Sequence, residues 1–522
     1  MKNISELKTI KGDAYDYFVS TENEAKLFKD IFLADEIMET IKMQDKYFLI
    51  GEKGSGKTAY SVFLSRQRDK KIFSTIKLVQ NTVYQKFLNM KNSKSLELSS
   101  FKDIWINIIY LIICESLKEE IGNNITKFIQ YNRITKAVNI FYSDSFKPEF
   151  INALEFIDNA NVSIGTMEQL GIFNSSSNFG TTAKYEEHSY QISLMKIRDG
   201  FEKVLKDIKL DKQFILFIDG IDARPSDINQ DQYIACLNGL VNAVLEIDND
   251  FLRDKNIKVM LSIRPDIIFK MSIHNMNQKI RDNSVLLSWV TTYKDFANSK
   301  LFTIADNFFA KQQDTACDPG TSWNEYFTYQ AYNNKTKSNS DNAFIDFLRY
   351  SLYKPRDILT MLNELCRVGK GKTFTYDNFR TILKNYSEYL KGELKDYMLI
   401  YLTDDEYNSF ILFFNYFYKH PTFDYNFFKV KHSEYIAMLN EANKPVPNYM
   451  KAPSEALQLL YDSNIICYEE NVFANNRRYN NMFWSYKERS YANIQPEVKK
   501  ESSYRFHQGF ARAFNIIEIR KY

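Results

Sequence analysis

Five short apolar runs punctuate the chain between residues 46 and 290: Lys46–Ile50, Ser74–Val79, Phe214–Ile218, Lys258–Ile263 and Ser284–Val290. Each is a continuous hydrophobic stretch of strand length, not an alternating one. That is the pattern of parallel strands covered on both faces. Stretches with helical spacing lie between them, for instance Phe101–Ile121 and Tyr190–Ile208. The alternation predicts an α/β fold built on a parallel sheet. The segment from about 122 to 190 is longer than one crossover needs and reads as an insertion. Its polar run Asn174–Thr182 is either a plain surface excursion or a partner-binding loop.

From Tyr293 to about Tyr397 the pattern is all helical, broken by a loop at Asn333–Asp341. Thr403-Asp404-Asp405-Glu406 is a capping box that opens an aromatic helix running to about Lys419. Helical stretches near Ser433–Asn443 and Ser454–Asp462 follow. Then come Ile465–Ala474, a polar turn Asn475-Asn476-Arg477-Arg478, and Tyr479–Tyr486. Helices followed by a ribbon with a basic tip predict a winged-helix-like domain. The expected organisation is a core over 1–290, a helical lid over 291–400 and the winged-helix-like part over 401–522. Three units suit 522 residues at about 150 each.

Composition narrows the field only slightly. A net charge of +3 is too small to announce nucleic acid by itself, but residues 471–522 hold ten Lys/Arg against four Asp/Glu. The cysteines, Cys114, Cys236, Cys317, Cys366 and Cys467, are scattered and form no CxxC pair. They predict reduced thiols in a cytoplasmic setting and argue against a structural zinc. The five histidines are far apart, which makes none of them a strong metal ligand. The first residues lack the apolar core of a signal peptide. The most hydrophobic run, Ile104–Cys114, is too short to span a bilayer and reads as a buried helix, so no membrane partner is expected.

The chemistry concentrates around Gly51-Glu52-Lys53-Gly54-Ser55-Gly56-Lys57-Thr58, set between an apolar strand and the helical stretch Ala59–Arg66. Strand, glycine-rich turn and helix in that order form a phosphate-binding loop. Glycines such as Gly51, Gly54 and Gly56 let successive N–H groups, with that of Ser55, point inward at phosphates. The helix adds its positive end. Lys57 reaches the β- and γ-phosphates, and the Thr58 hydroxyl holds Mg²⁺. The expected nucleotide is ATP. Asp219 closes the run Phe214–Ile218 at the sheet's carboxyl edge, where it steers Mg²⁺. Asp222 either orients or deprotonates the attacking water, or merely caps the turn before Pro225. Ser262 and Arg264, in Val259-Met260-Leu261-Ser262-Ile263-Arg264-Pro265, have the form of a γ-phosphate sensor. In Lys354-Pro355-Arg356-Asp357, Pro355 suits a first helical turn and Arg356 can report the γ-phosphate from the lid.

The ordered set GEKGSGKT, FILFIDGID, VMLSIRP and KPRD resembles the additional-strand P-loop ATPases. The nearest groups are the STAND ATPases, including NACHT- and KAP-like proteins, and the replication-initiator branch of AAA+ ATPases. The resemblance implies a core, helical lid and winged helix, with motifs over about residues 20–370. In ring-forming members an arginine at the place of Arg281 reaches into a neighbouring subunit; alternatively Arg281 is a solvated helix-end residue. AAA+ proteins usually place Glu directly after the acidic Asp, where this chain has Gly220, so slow, switch-like turnover is implied. Bacterial proteins of this type often serve anti-phage defence. The resemblance thus implies an ATP-dependent switch acting through a homo-oligomer or a partner effector protein. The competing reading is a DNA-binding ATPase that uses residues 401–522, with Arg477 and Arg478 on phosphate. A third is a scaffold that holds nucleotide only for stability, against which the complete set of Lys57, Thr58 and Asp219 argues. Lys57→Ala is expected to abolish nucleotide binding or turnover and any cellular activity. Undiminished ATPase activity in the purified variant would remove the site assignment.

Overall fold

The computed structural model describes residues 1–67, 71–79, 101–122, 128–144, 186–208, 210–222, 224, 228–247, 251–271, 273, 275–333, 336–474 and 477–517. All five apolar runs are strands: β1 (Phe48–Ile50), β2 (Ile72–Leu78), β3 (Gln213–Asp219), β4 (Ile257–Ile263) and β5 (Ser284–Leu286). They form one parallel sheet in the order β2-β3-β4-β1-β5. β1 and β4 are buried along their whole length, as strands covered on both faces must be. β5 is shorter than the expected 284–290. The Leu287 N–H still donates to the Ile50 carbonyl at 2.8 Å. The chain then leaves the sheet, and the Trp289 indole donates to the Ser55 carbonyl at 2.8 Å. Apolarity beyond Leu286 therefore serves packing under the glycine-rich loop and not the ladder.

The middle of the helix Phe101–Gly122 is apolar on all sides, and Ile104–Cys114 is buried as expected. It packs against the helices Phe128–Asp144, Glu186–Lys206 and Gln230–Ile247. The polar run 174–182 lies outside the described residues. Between 291 and 400 the chain is not all helical. β6 (Gln330–Asn333) and β7 (Ser338–Asn342) make an antiparallel hairpin where a loop was expected. Its strands are polar and largely exposed, so they carry no apolar periodicity to read. The surrounding helices share an aromatic core in which Trp323 stacks on Phe327 with centroids 4.1 Å apart.

The box of Thr403 and Glu406 does cap a helix, Asp404–Leu412. It ends before Lys419 because the backbone tightens into a 3₁₀ turn over Phe413–Phe417. Helices Tyr425–Glu441 and Pro453–Asp462 follow. The expected ribbon is part of a larger antiparallel sheet made of β8 (Thr422–Asp424), β9 (Ile466–Ala474), β10 (Arg477–Phe483) and β11 (Ser503–Phe506), in the order β10-β9-β11-β8. Residues 475–476 of its turn lie outside the described residues. Among the described residues no helix is long and apolar enough to cross a membrane.

The C-terminal part is fastened to the rest by polar contacts. His507 Nε2 lies 3.0 Å from the Ser351 carbonyl and the ring is buried. Burial pushes its pKa down to about 4, with the Ser351 carbonyl pulling the other way. An unfolded histidine titrates near 6.5, so between pH 6.5 and 4 the unfolded chain binds more protons. Stability must therefore fall as pH drops through that window, by up to about 3 kcal/mol, and stay level above it. Denaturant titrations at pH 7 and 4.5 should show a smaller pH-induced loss in His507→Gln than in the parent.

Candidate functional site

The site lies at the carboxyl edge of the parallel sheet. β1 runs into the loop Gly51–Gly56, which feeds the helix Lys57–Arg66. Gly54 and Gly56 have φ of +83° and +99°, a region that side chains rarely adopt. A Cβ on Gly54 would also stand 3.2 Å from Arg356 Cβ. The loop folds back over its own lysine: Lys57 Nζ donates to the carbonyls of Gly51 at 2.9 Å and Glu52 at 3.3 Å. That ammonium is 6% exposed, and Asp222 Oδ2 lies 3.4 Å from it.

The register brings the carboxyl ends of three strands level. Ile218 stands beside Leu261, and Leu49 beside Ser262, so Asp219 and Ser262 each lie one residue further on. Asp219 Oδ2 accepts from Thr58 Oγ1 at 2.5 Å and its Oδ1 from the Gly220 N–H at 2.8 Å. Burial, and then the neighbouring Asp222, raise the Asp219 pKa. For Asp222 burial acts in the same sense, but the Lys57 ammonium and the Arg264 guanidinium outweigh it and hold the carboxyl below its ordinary value. Two adjacent carboxyls are thus pushed apart in pKa, as at sites that handle protons or cations. The Ser262 and Ser55 hydroxyls are buried with no hydrogen-bond partner among the described residues. Two orphaned hydroxyls beside a Thr–Asp pair suit a phosphate and an oxygen-ligated cation such as Mg²⁺.

Next to Gly56 opens an apolar cleft of about 80 Å³ lined by Phe32, Ala59, Tyr60, Trp289, Pro355 and Leu359, among others. Its far wall belongs to the helix Pro355–Val368, whose first turn touches the loop: the Arg356 N–H points at the Gly54 carbonyl at 3.4 Å. Pro355 sits in that first turn, as its fixed φ and missing N–H favour. The N-terminal segment closes the cleft from outside, with Ile10 and Asn363 exchanging two hydrogen bonds of 3.1 and 2.8 Å.

Of the residues singled out in the sequence, the fold gathers Gly51, Gly54, Ser55, Gly56, Lys57, Thr58, Asp219, Asp222, Ser262 and Arg356 at this edge. Arg264 is different. It is buried, binds Asp266 through Nε and Nη2 at 3.0 and 2.7 Å, and stacks 4.3 Å from the Tyr397 ring. Tyr401 donates to the same Asp266 carboxylate. The guanidinium is committed to a joint between β4 and the helix Tyr376–Met398. Arg281 is exposed in the last turn of Met276–Asn283, ahead of β5, so it lies at the opposite, amino edge of the sheet.

Sequence reasoning missed the groups that fasten the loop from outside. Arg489 pairs with Glu52, and Lys53 pairs with Glu393 at 3.2 Å and Asp396 at 2.5 Å. Arg224, just after Asp222, donates to the carbonyls of Leu399, Ile400 and Leu402. Partners hundreds of residues away leave no local spacing to read; only the Arg224-Pro225 pair after Asp222 marked the place of Arg224.

No protein-family model matches the chain. It is 20% identical over 360 residues to the "Putative transposon gamma-delta 80.3 kDa protein" of Escherichia coli (strain K12), an alignment covering 66% of this chain and 45% of that one. The chain thus spans under half of that relative's length.

The two carboxylates are separable by experiment. Asp219→Ala should weaken Mg²⁺-dependent nucleotide binding, since it removes the partner of Thr58. Asp222→Ala should leave binding largely intact and slow hydrolysis by about a hundredfold if it acts on the water. Equal turnover in Asp222→Ala and the parent would show that another group positions the water.

Proposed function

We propose that the chain is an ATP-binding, slowly hydrolysing molecular switch that controls its own assembly or a partner effector. The convergence of Lys57, Thr58, Asp219 and Asp222 at the end of a sheet in which β4 separates β1 from β3 carries this reading. That separation is what the resemblance to additional-strand ATPases implies. Lys57 and the loop N–H groups would take the phosphates. Thr58 and Asp219 would hold Mg²⁺, which when bound neutralises charge on the phosphate oxygens. The apolar cleft beside Gly56 suits the faces of a purine. Asp222 is the carboxylate placed to orient water, and Ser262 is a spare hydroxyl within the same edge. Gly220 stands where fast AAA+ enzymes carry a second acid, which supports slow turnover. Arg281, exposed at the far edge, is free to face a second copy. A place in bacterial anti-phage defence, in the cytoplasm, rests on the resemblance alone.

The other reading is a DNA-binding ATPase acting through residues 401–522. The helix Pro453–Asp462 contains no Lys or Arg. It is tied inward, Gln458 Nε2 donating to the Pro496 carbonyl at 3.0 Å and Tyr397 approaching the Asp462 carbonyl at 3.4 Å. Both features favour an interdomain packing module over a DNA reader.

The switch reading is tested on the full chain by titrating ATP and ADP with Mg²⁺ while following particle size. Arg356→Ala should bind ADP normally and lose the difference between the two nucleotides. A charge-assisted contact of about 1.5–3 kcal/mol corresponds to about tenfold to a hundredfold. A parent whose size and shape are the same in both nucleotides would overturn the reading.

A further inference from the structure

Three cationic side chains meet at the mouth of the glycine-rich loop: Lys53 from the loop itself, and Lys354 and Arg356 from the start of the helix Pro355–Val368. Arg356 cannot stand far away, because its backbone and Cβ abut Gly54. The carboxylates around them have different tasks. Asp357 is consumed locally, accepting from the Leu352 N–H at 2.8 Å and from the Tyr389 hydroxyl at 3.2 Å. Asp396 is 60% exposed and engages Lys53. Glu393, on the helix Tyr376–Met398, faces both sides at once. It lies 3.2 Å from Lys53 Nζ and 3.7 Å from Arg356 Nη1, and its side chain is 24% exposed.

A carboxylate at that point is an anion already in place among the cations that a phosphate would use. We propose that Glu393 is a specificity-determining residue of the site, an internal carboxylate that competes with the terminal phosphate of a bound nucleoside triphosphate for Arg356 and Lys53. The proposal rests on the nucleotide-binding reading above. On that reading the terminal phosphate is the group that reaches these cations, so a diphosphate is compatible with the Glu393 pairs. A triphosphate must either displace the carboxylate or accept the repulsion of a second anion beside it. Glu393 therefore weakens ATP selectively, and holds the helices of residues 355–398 against the loop when the shorter nucleotide is bound. Its effect on ATP is opposite in sign to that of Arg356.

The experiment is calorimetric titration of Mg²⁺-ATP and Mg²⁺-ADP into the full-length parent, Glu393→Gln, Glu393→Asp and the double variant Glu393→Gln/Arg356→Ala. Glu393→Gln keeps the shape and removes the charge. It should bind ATP about three- to tenfold more tightly, the scale of a partly exposed ion pair, with ADP almost unmoved. The gain should shrink in the double variant, where only Lys53 remains to be released, and Glu393→Asp, which keeps the charge, should stay near the parent's ATP/ADP ratio. An unaltered ratio in Glu393→Gln, an equal change in Glu393→Asp, or a gain undiminished by the loss of Arg356 would each overturn the proposal while leaving nucleotide binding in place. If the parent binds neither nucleotide, the nucleotide reading falls and the proposal falls with it.

Discussion

The arrangement of the core follows from a single buried charge, the ammonium of Lys57. An ammonium removed from water is costly unless hydrogen bonds and a counter-ion replace its hydration. Here the replacements come from two parts of the chain. The loop wraps back so that the carbonyls of Gly51 and Glu52 accept from the amine. Asp222, carried by the chain leaving β3, supplies the opposite charge. Both demands are met only if the ends of β1 and β3 lie on the same edge with β4 between them, which the register provides. Lys57 in turn makes it tolerable to bury Asp219 and Asp222 together, since it lowers the pKa of each against their mutual repulsion.

Three consecutive loop positions then connect this centre to three other segments. Glu52 pairs with Arg489 of the C-terminal part, Lys53 with Glu393 and Asp396 of the helix Tyr376–Met398, and the Gly54 carbonyl faces the Arg356 N–H. The loop is short, and Gly54 and Gly56 hold its backbone in the left-handed region. Behind it, Arg224 and Arg264 make second joints to the same helical segment, through the carbonyls of 399–402 and through Asp266 with Tyr397 and Tyr401. The loop and the outer helical segments are thus joined at several points.

The parallel sheet was legible because its central strands β1, β3 and β4 are buried almost throughout and so are largely apolar. The loop was legible because its glycines, lysine and threonine act within eight consecutive residues. The hairpin β6–β7 was not: apart from Ala331 and Tyr332 its strands are built of Gln, Asn, Ser and Asp, and Ala331 is their one buried residue, so neither period nor hydrophobicity marks them. β11 was missed because it is four residues long and is recruited by β8 and β9 from more than 30 residues away. Arg264 read as a phosphate sensor from its place after β4. Asp266 and Tyr397 capture it because Pro265 starts a helix that brings Asp266 back beside the guanidinium.

By itself the sequence determined part of the chain's local states: which apolar runs form the parallel sheet, where the glycine-rich turn must lie, and that Lys57, Thr58 and Asp219 are positioned by the strands and helix they adjoin. Those depend on hydrophobic period and on neighbours a few residues away, and such forces are written in adjacent letters. Only the tertiary structure decided which side chains share a charge. Glu52 and Arg489 lie on opposite sides of the chain's length, as do Lys53 and Glu393, and nothing local distinguishes them from other surface ions. Their partnership depends on distance in space, since ion pairing falls off within a few ångströms. That distance is set by how the outer helices pack on the core.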